Sequence, residues 1–130
     1  MKLKKLENHI GLTVSAIRKN YTDRGPKNMV VTVKGKNINI CFEVDSVQSE
    51  LFLVDTIIQL GGHQILLDRM GEQLIDLFTP FIQALNPVLS IESLIYHFPE
   101  TSMRQQTIHV TVNENLESLC RSKKLSIPNY

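Results

Sequence analysis

Val31-Thr32-Val33-Lys34-Gly35-Lys36-Asn37-Ile38-Asn39-Ile40-Cys41-Phe42-Glu43-Val44-Asp45 alternates apolar and polar side chains on either side of a Gly-Lys-Asn break. A period of two puts Val31 and Val33 on one face of a first strand. It puts Ile38, Ile40, Phe42 and Val44 on one face of a second, with Asn39, Cys41, Glu43 and Asp45 opposite. Gly35-Lys36-Asn37 supplies a hairpin connection. The charged alternate face predicts an antiparallel sheet with one side toward solvent.

Outward from this hairpin, Leu3, Leu6, Ile10, Val14, Ile17 and Tyr21 recur at steps of three or four and predict an amphipathic first helix. Gly11 is a weak point in its interior, worth about 1 kcal/mol. Thr22-Asp23-Arg24-Gly25-Pro26 ends it, because Pro26 has no backbone donor and biases Gly25 toward extended backbone. Downstream, Ser46 is a candidate N-cap for a helix over 47–60 with Val47, Leu51, Val54 and Ile58 on one face. Gly61-Gly62 breaks it. A longer helix follows from His63 to Leu85, stopped by Asn86-Pro87, with Pro80 as a kink or a second start. Two further β-type runs, 88–98 and 105–112, are joined by a turn at Pro99-Glu100-Thr101-Ser102.

These elements define an α+β fold: a two-layer, antiparallel four-stranded sheet covered by helices in the order α-β-β-α(α)-β-β. One domain over residues 1–119 and a C-terminal tail over 120–130 account for the 130 residues. No apolar run reaches the 18 residues a membrane span needs. The basic start passes into Glu7, Asn8 and His9 rather than an apolar core, so no signal peptide is expected. Two cysteines do not make a secreted disulfide framework, which points to a reducing, cytoplasmic compartment. Cys41, in an apolar run, is expected to be buried, and Cys120 to be the more exposed thiol.

The net charge of +1 conceals an asymmetry. Residues 1–36 hold nine Lys or Arg against Glu7 and Asp23, whereas residues 37–119 hold Arg69 and Arg104 against eleven acids. Such polarity suits self-association or an anionic partner at one end.

The stretch Ile17-Arg18-Lys19-Asn20-Tyr21-Thr22-Asp23-Arg24-Gly25-Pro26-Lys27-Asn28 resembles the small MpsC-like domain family. In that family a first helix is followed by Gly-Arg-Gly-Pro and an alternating strand. Here Asp23 stands in place of the first glycine, and Arg24, Gly25 and Pro26 keep the motif. The resemblance spans residues 8–115 and departs from the family's strand-to-helix connection over 43–58. It implies a part in a sodium-translocating, membrane-potential-generating system. For a chain without a span, that means a peripheral accessory that does not move ions alone.

Arg24 leads the candidate contact residues, since a guanidinium holds a carboxylate or phosphate through paired hydrogen bonds. Gly25 allows close backbone approach, Pro26 fixes the joint, and Lys27 adds a second cation. The bland alternative is an arginine tying the joint to Asp23, Glu43 or Asp45. His9, His63, His97 and His109 show no metal-ligand spacing, and His63 with Asp68 lacks a nucleophile. Asp68, Glu72 and Asp76 read as a solvated acidic stripe. Phe78, Phe81 and Leu85 read as core, with an exposed sheet edge or the 78–85 turns as the place for a two-fold homodimer. No catalytic residue, metal or cofactor is assigned. The expected function is a non-enzymatic accessory or protein-association domain. The alternative is a nucleic-acid-binding α/β module using the basic first helix and hairpin.

Overall fold

The computed structural model describes residues 2–22, 25–46 and 48–127. Its elements are α1 (Leu3–Thr22), β1 (Lys27–Lys34), β2 (Asn37–Glu43), α2 (Gln48–Gln59), α3 (His63–Leu85), β3 (Ile91–His97), β4 (Gln105–Val112) and α4 (Leu116–Arg121). The four strands form one antiparallel sheet in the order β1-β2-β4-β3, as the alternation requires.

Register lays the inner face out as rows. Val31, Ile40, Ile108 and Tyr96 line up across the sheet, and Val33, Ile38, Val110 and Leu94 form the next row. Most of these side chains are buried, each worth roughly 1.5–3 kcal/mol relative to exposure. α1 packs over β1 and α3 over β3 on this side. Leu6, Ile10 and Val14 from α1 and Leu67, Phe78, Ile82 and Leu85 from α3 complete the core. No described helix covers the opposite face, and Thr32, Asn39, Cys41, Thr107 and His97 are exposed on it.

Gly35-Lys36 forms a two-residue loop, since Lys34 pairs with Asn37, and Gly35 takes φ +61° as the first central residue of a type II′ turn does. At the far end of β1 the register slips between Lys27 and Val30, and Asn28 adopts φ 52°. That is a bulge next to the joint.

α3 runs unbroken through Pro80, which is exposed, so the missing backbone bond falls on the solvent side. α4 was not anticipated. Asn115 caps it by accepting from the Ser118 N–H at 3.0 Å, and Leu116 and Cys120 bury its inner side. Both thiols depart from expectation. Cys41 is exposed because Ile38, Ile40 and Phe42 take the inward positions, and Cys120 is buried because α4 docks it into the core.

α2 is the outlier. None of its residues is buried, and among the described elements its main packing is against α3. It ends in a Schellman arrangement: the Gly62 N–H donates to the Ile57 carbonyl at 2.8 Å, and the Gly61 N–H to the Ile58 carbonyl at 2.9 Å. Gly61 sits at φ +80°.

Candidate functional site

Two features of the helical side stand out: a cavity and an apolar surface. The cavity, about 170 Å³, lies between α1, α3 and the inner sheet face. α1 contributes Val14, Ile17 and Arg18. Arg18 follows Val14 by one helical turn, so it shares the buried stripe rather than the polar side. α3 contributes Met70, Gln73, Leu74, Leu77 and Phe78. The floor is Phe42, Tyr96, Gln106 and Ile108.

Gln106 occupies an inward β4 position next to Phe42 and is 1% exposed. Its amide is fully directed: Oε1 accepts from the Tyr96 hydroxyl at 2.5 Å, and Nε2 donates to the Met103 carbonyl at 3.0 Å. Burial pushes the Tyr96 phenol well above its ordinary range, a shift opposed by the Arg18 guanidinium and reinforced by the Glu50 carboxylate. A cation from α1 and an anion from the first turn of α2 therefore both act on this corner of the core.

The apolar surface is built on α2 and the start of α3. Phe52 is 70% exposed, Leu53 62%, Leu60 82% and Ile65 66%. Val54, Ile58 and Leu66 reach the edge of the core instead, which anchors the helix pair and leaves the other side of α2 uncovered.

The joint motif divides. Asp23 and Arg24 lie outside the described residues. Gly25 is exposed with open space around it, and Pro26 is half-buried. Lys27 Nζ pairs with the Asp45 carboxylate, so its charge is directed back across the joint. Glu43 accepts from Asn28 Nδ2 at 3.2 Å and from Arg104 at 3.4 Å. Glu43 and Asp45, two of the three carboxylates expected to meet Arg24, thus have these other partners.

Of the four histidines, His63 and His97 meet edge to face with ring centroids 6.4 Å apart. His63 stacks edge-on against Phe98 at 5.2 Å, with its Nδ1 buried and without a hydrogen-bond partner among the described residues. Asp68 instead accepts from Gln64 Nε2 at 2.8 Å, one turn away on the same helix. On the open face, His109 sits between Asn39 Oδ1 and Asn37 Oδ1, and Thr111 Oγ1 donates to the same Asn37 oxygen at 3.0 Å. Asp68, Glu72 and Asp76 are exposed. Phe78 and Leu85 are core, but Phe81 is 42% exposed.

The β1 edge, one expected place for pairing, is occupied. The Val33 N–H donates to Glu7 at 2.8 Å and the Gly35 N–H to Glu117 at 2.8 Å, so carboxylates from α1 and α4 take donors that another strand would need.

Sequence reasoning did not single out Arg18, Tyr96 or Gln106. A signal existed for two of them. Arg18 is a charge on the parity of an apolar helical stripe, and Gln106 is an amide two residues before Ile108 in an alternating strand. No described helix is long and apolar enough to cross a membrane. Comparison with protein-family models, with curated proteins and with solved structures gave no match.

Proposed function

We propose that this chain is a non-enzymatic association domain, an MpsC-like α+β module that pairs with a second copy through the α2–α3 face. The observation that carries this reading is a helix with no buried residue that displays Phe52 and Leu53, followed by an exposed Leu60 in the turn after it. Contiguous apolar exposure of this kind marks an interaction site in a folded protein. Two copies related by a two-fold axis would each present the same helix pair, giving a four-helix contact. At the β1 edge the Val33 and Gly35 donors are already taken, which disfavours strand addition there.

The MpsC-like assignment rests on Arg24-Gly25-Pro26 and on the α-β-β-α-α-β-β order. From it comes the rest of the proposal: a cytoplasmic accessory placed peripherally at a membrane cation-transport system. Assembly with a protein partner there is the expected role.

Sedimentation equilibrium of the full chain tests the pairing. A concentration-dependent dimer is expected, and Phe52→Glu with Leu53→Glu should give a monomer with unchanged circular dichroism. Neither side chain contributes to the core, so the fold should survive the double change. A wild-type chain that stays monomeric throughout would overturn the pairing. In sealed vesicles the purified chain should generate no sodium-dependent potential by itself.

A further inference from the structure

We infer that the cleft between α1 and the edge of β1 binds an acidic, extended peptide segment of a partner protein, which adds a short strand to the sheet at Val31. The site lies apart from the α2–α3 face and does not depend on self-association.

The backbone supplies the first argument. The carboxylates that occupy the β1 edge stop at Val33 and cover only its hairpin end. Along an antiparallel pair, hydrogen-bonded and non-bonded residue pairs alternate. The Val33 N–H leaves the sheet to meet Glu7, so Val33–Ile38 is a non-bonded pair, and so is Val31–Ile40 two residues back. Val31 therefore turns both its N–H and its carbonyl outward, and neither has a partner among the described residues. An edge of this kind is a template for an added strand.

Shape supplies the second. A cleft of about 530 Å³ runs along this part of the edge. Val30 and Val31 both line it, and neighbouring strand residues point to opposite faces, so the space wraps the edge itself. On the helix side Asn8, Gly11, Leu12 and Ser15 form one stripe. Gly11 leaves the middle of that stripe open, and a methyl group there would already lie 3.6 Å from the Met29 and Val31 side chains. Leu12 and Val30 are exposed and offer apolar contact to alternate residues of the added strand.

Charge selects the occupant. The Glu7–Val33 contact sets the start of α1 beside the hairpin, so Lys4, which lines the cleft, stands toward Lys34 and Lys36. All three are exposed, whereas Glu7 and Glu117 each accept from a backbone N–H. An acidic segment is drawn to that end, and backbone pairing at Val31 then holds it. Pairing halts where Glu7 takes the next donor, which keeps the added strand short.

Fluorescence anisotropy of the full chain with labelled Glu-Val-Glu-Val-Glu, followed by amide exchange of the complex, tests the proposal. The peptide should bind at one site per chain and at least about tenfold more tightly than Lys-Val-Lys-Val-Lys. The acidic peptide N-methylated at every amide keeps its charge but cannot pair as a strand, and it should not bind. Saturating peptide should slow exchange of the Val31 amide and leave that of Thr32, already paired to Asn39, nearly unchanged. Val31→Pro, which removes an outward donor and no bond between strands, and Lys4→Glu should each weaken binding at least about fivefold with a cooperative thermal transition. Equal affinity for the acidic and basic peptides would overturn the choice of occupant. Binding that survives N-methylation, a Val31 amide left unprotected at saturation, or no binding at millimolar peptide would overturn the site.

Discussion

Tyr96 and Gln106 show what a buried polar pair demands of its surroundings. Replacing Tyr96 by Phe leaves Gln106 Oε1 buried without its donor, and an orphaned acceptor costs roughly 1–3 kcal/mol. Chemical denaturation of Tyr96→Phe should show that loss. Adding Gln106→Leu removes that orphaned oxygen but takes the Nε2 donor from the Met103 carbonyl, so the double change should recover only part of the loss. The same phenol predicts an alkaline dependence. Its folded pKa is raised, chiefly by burial, above the value near 10 that it has when unfolded. The stability it contributes is therefore complete below pH about 10 and is lost as pH rises toward the folded value. Tyr96→Phe should flatten that alkaline decline, read as stability against pH. Tyr96 was legible only as part of a β-type run, since nothing in a one-dimensional pattern says that its hydroxyl meets a glutamine ten residues on.

At the scale of elements, glycines separate termination from close packing. Gly61 holds positive φ in the Schellman turn, so Gly61→Ala should destabilise the chain by about 1 kcal/mol. Gly71 is different. A methyl group there would lie 3.7 Å from the Leu94 carbonyl oxygen, an ordinary contact, while the helix would gain propensity. Gly71→Ala should accordingly stabilise by roughly 0.4–1 kcal/mol, with thermal melts of the two variants moving in opposite directions. Both helix boundaries and all four strands were readable because Gly61-Gly62, Asn86-Pro87 and the alternations act locally. α4 was not, because a six-residue helix has too little periodicity to register and depends on docking Leu116 and Cys120.

For the molecule as a whole, one sheet face is covered and the other is open, and the two cysteines report on each. Cys41 should react with a thiol reagent in the native state at the rate of an exposed thiol. Cys120 should react only as the fold opens, so denaturant should speed its modification and leave that of Cys41 nearly unchanged. Acid gives a second readout. Burial lowers the His9 pKa below its usual 6.5, so its contribution is present above that value and is lost as pH falls through the folded pKa. Periodicity and turn chemistry, being properties of neighbouring residues, were enough to determine the three longer helices, the strands and the antiparallel class. They could not decide where α2 would lie, because its residues are apolar enough for a core that α1 and α3 already fill. Nor could they bring Arg18, Tyr96 and Gln106 to one chamber, since that depends on how a helix crosses strands some eighty residues away. Tertiary packing alone decided which apolar side chains were left facing solvent and which polar ones were taken inside.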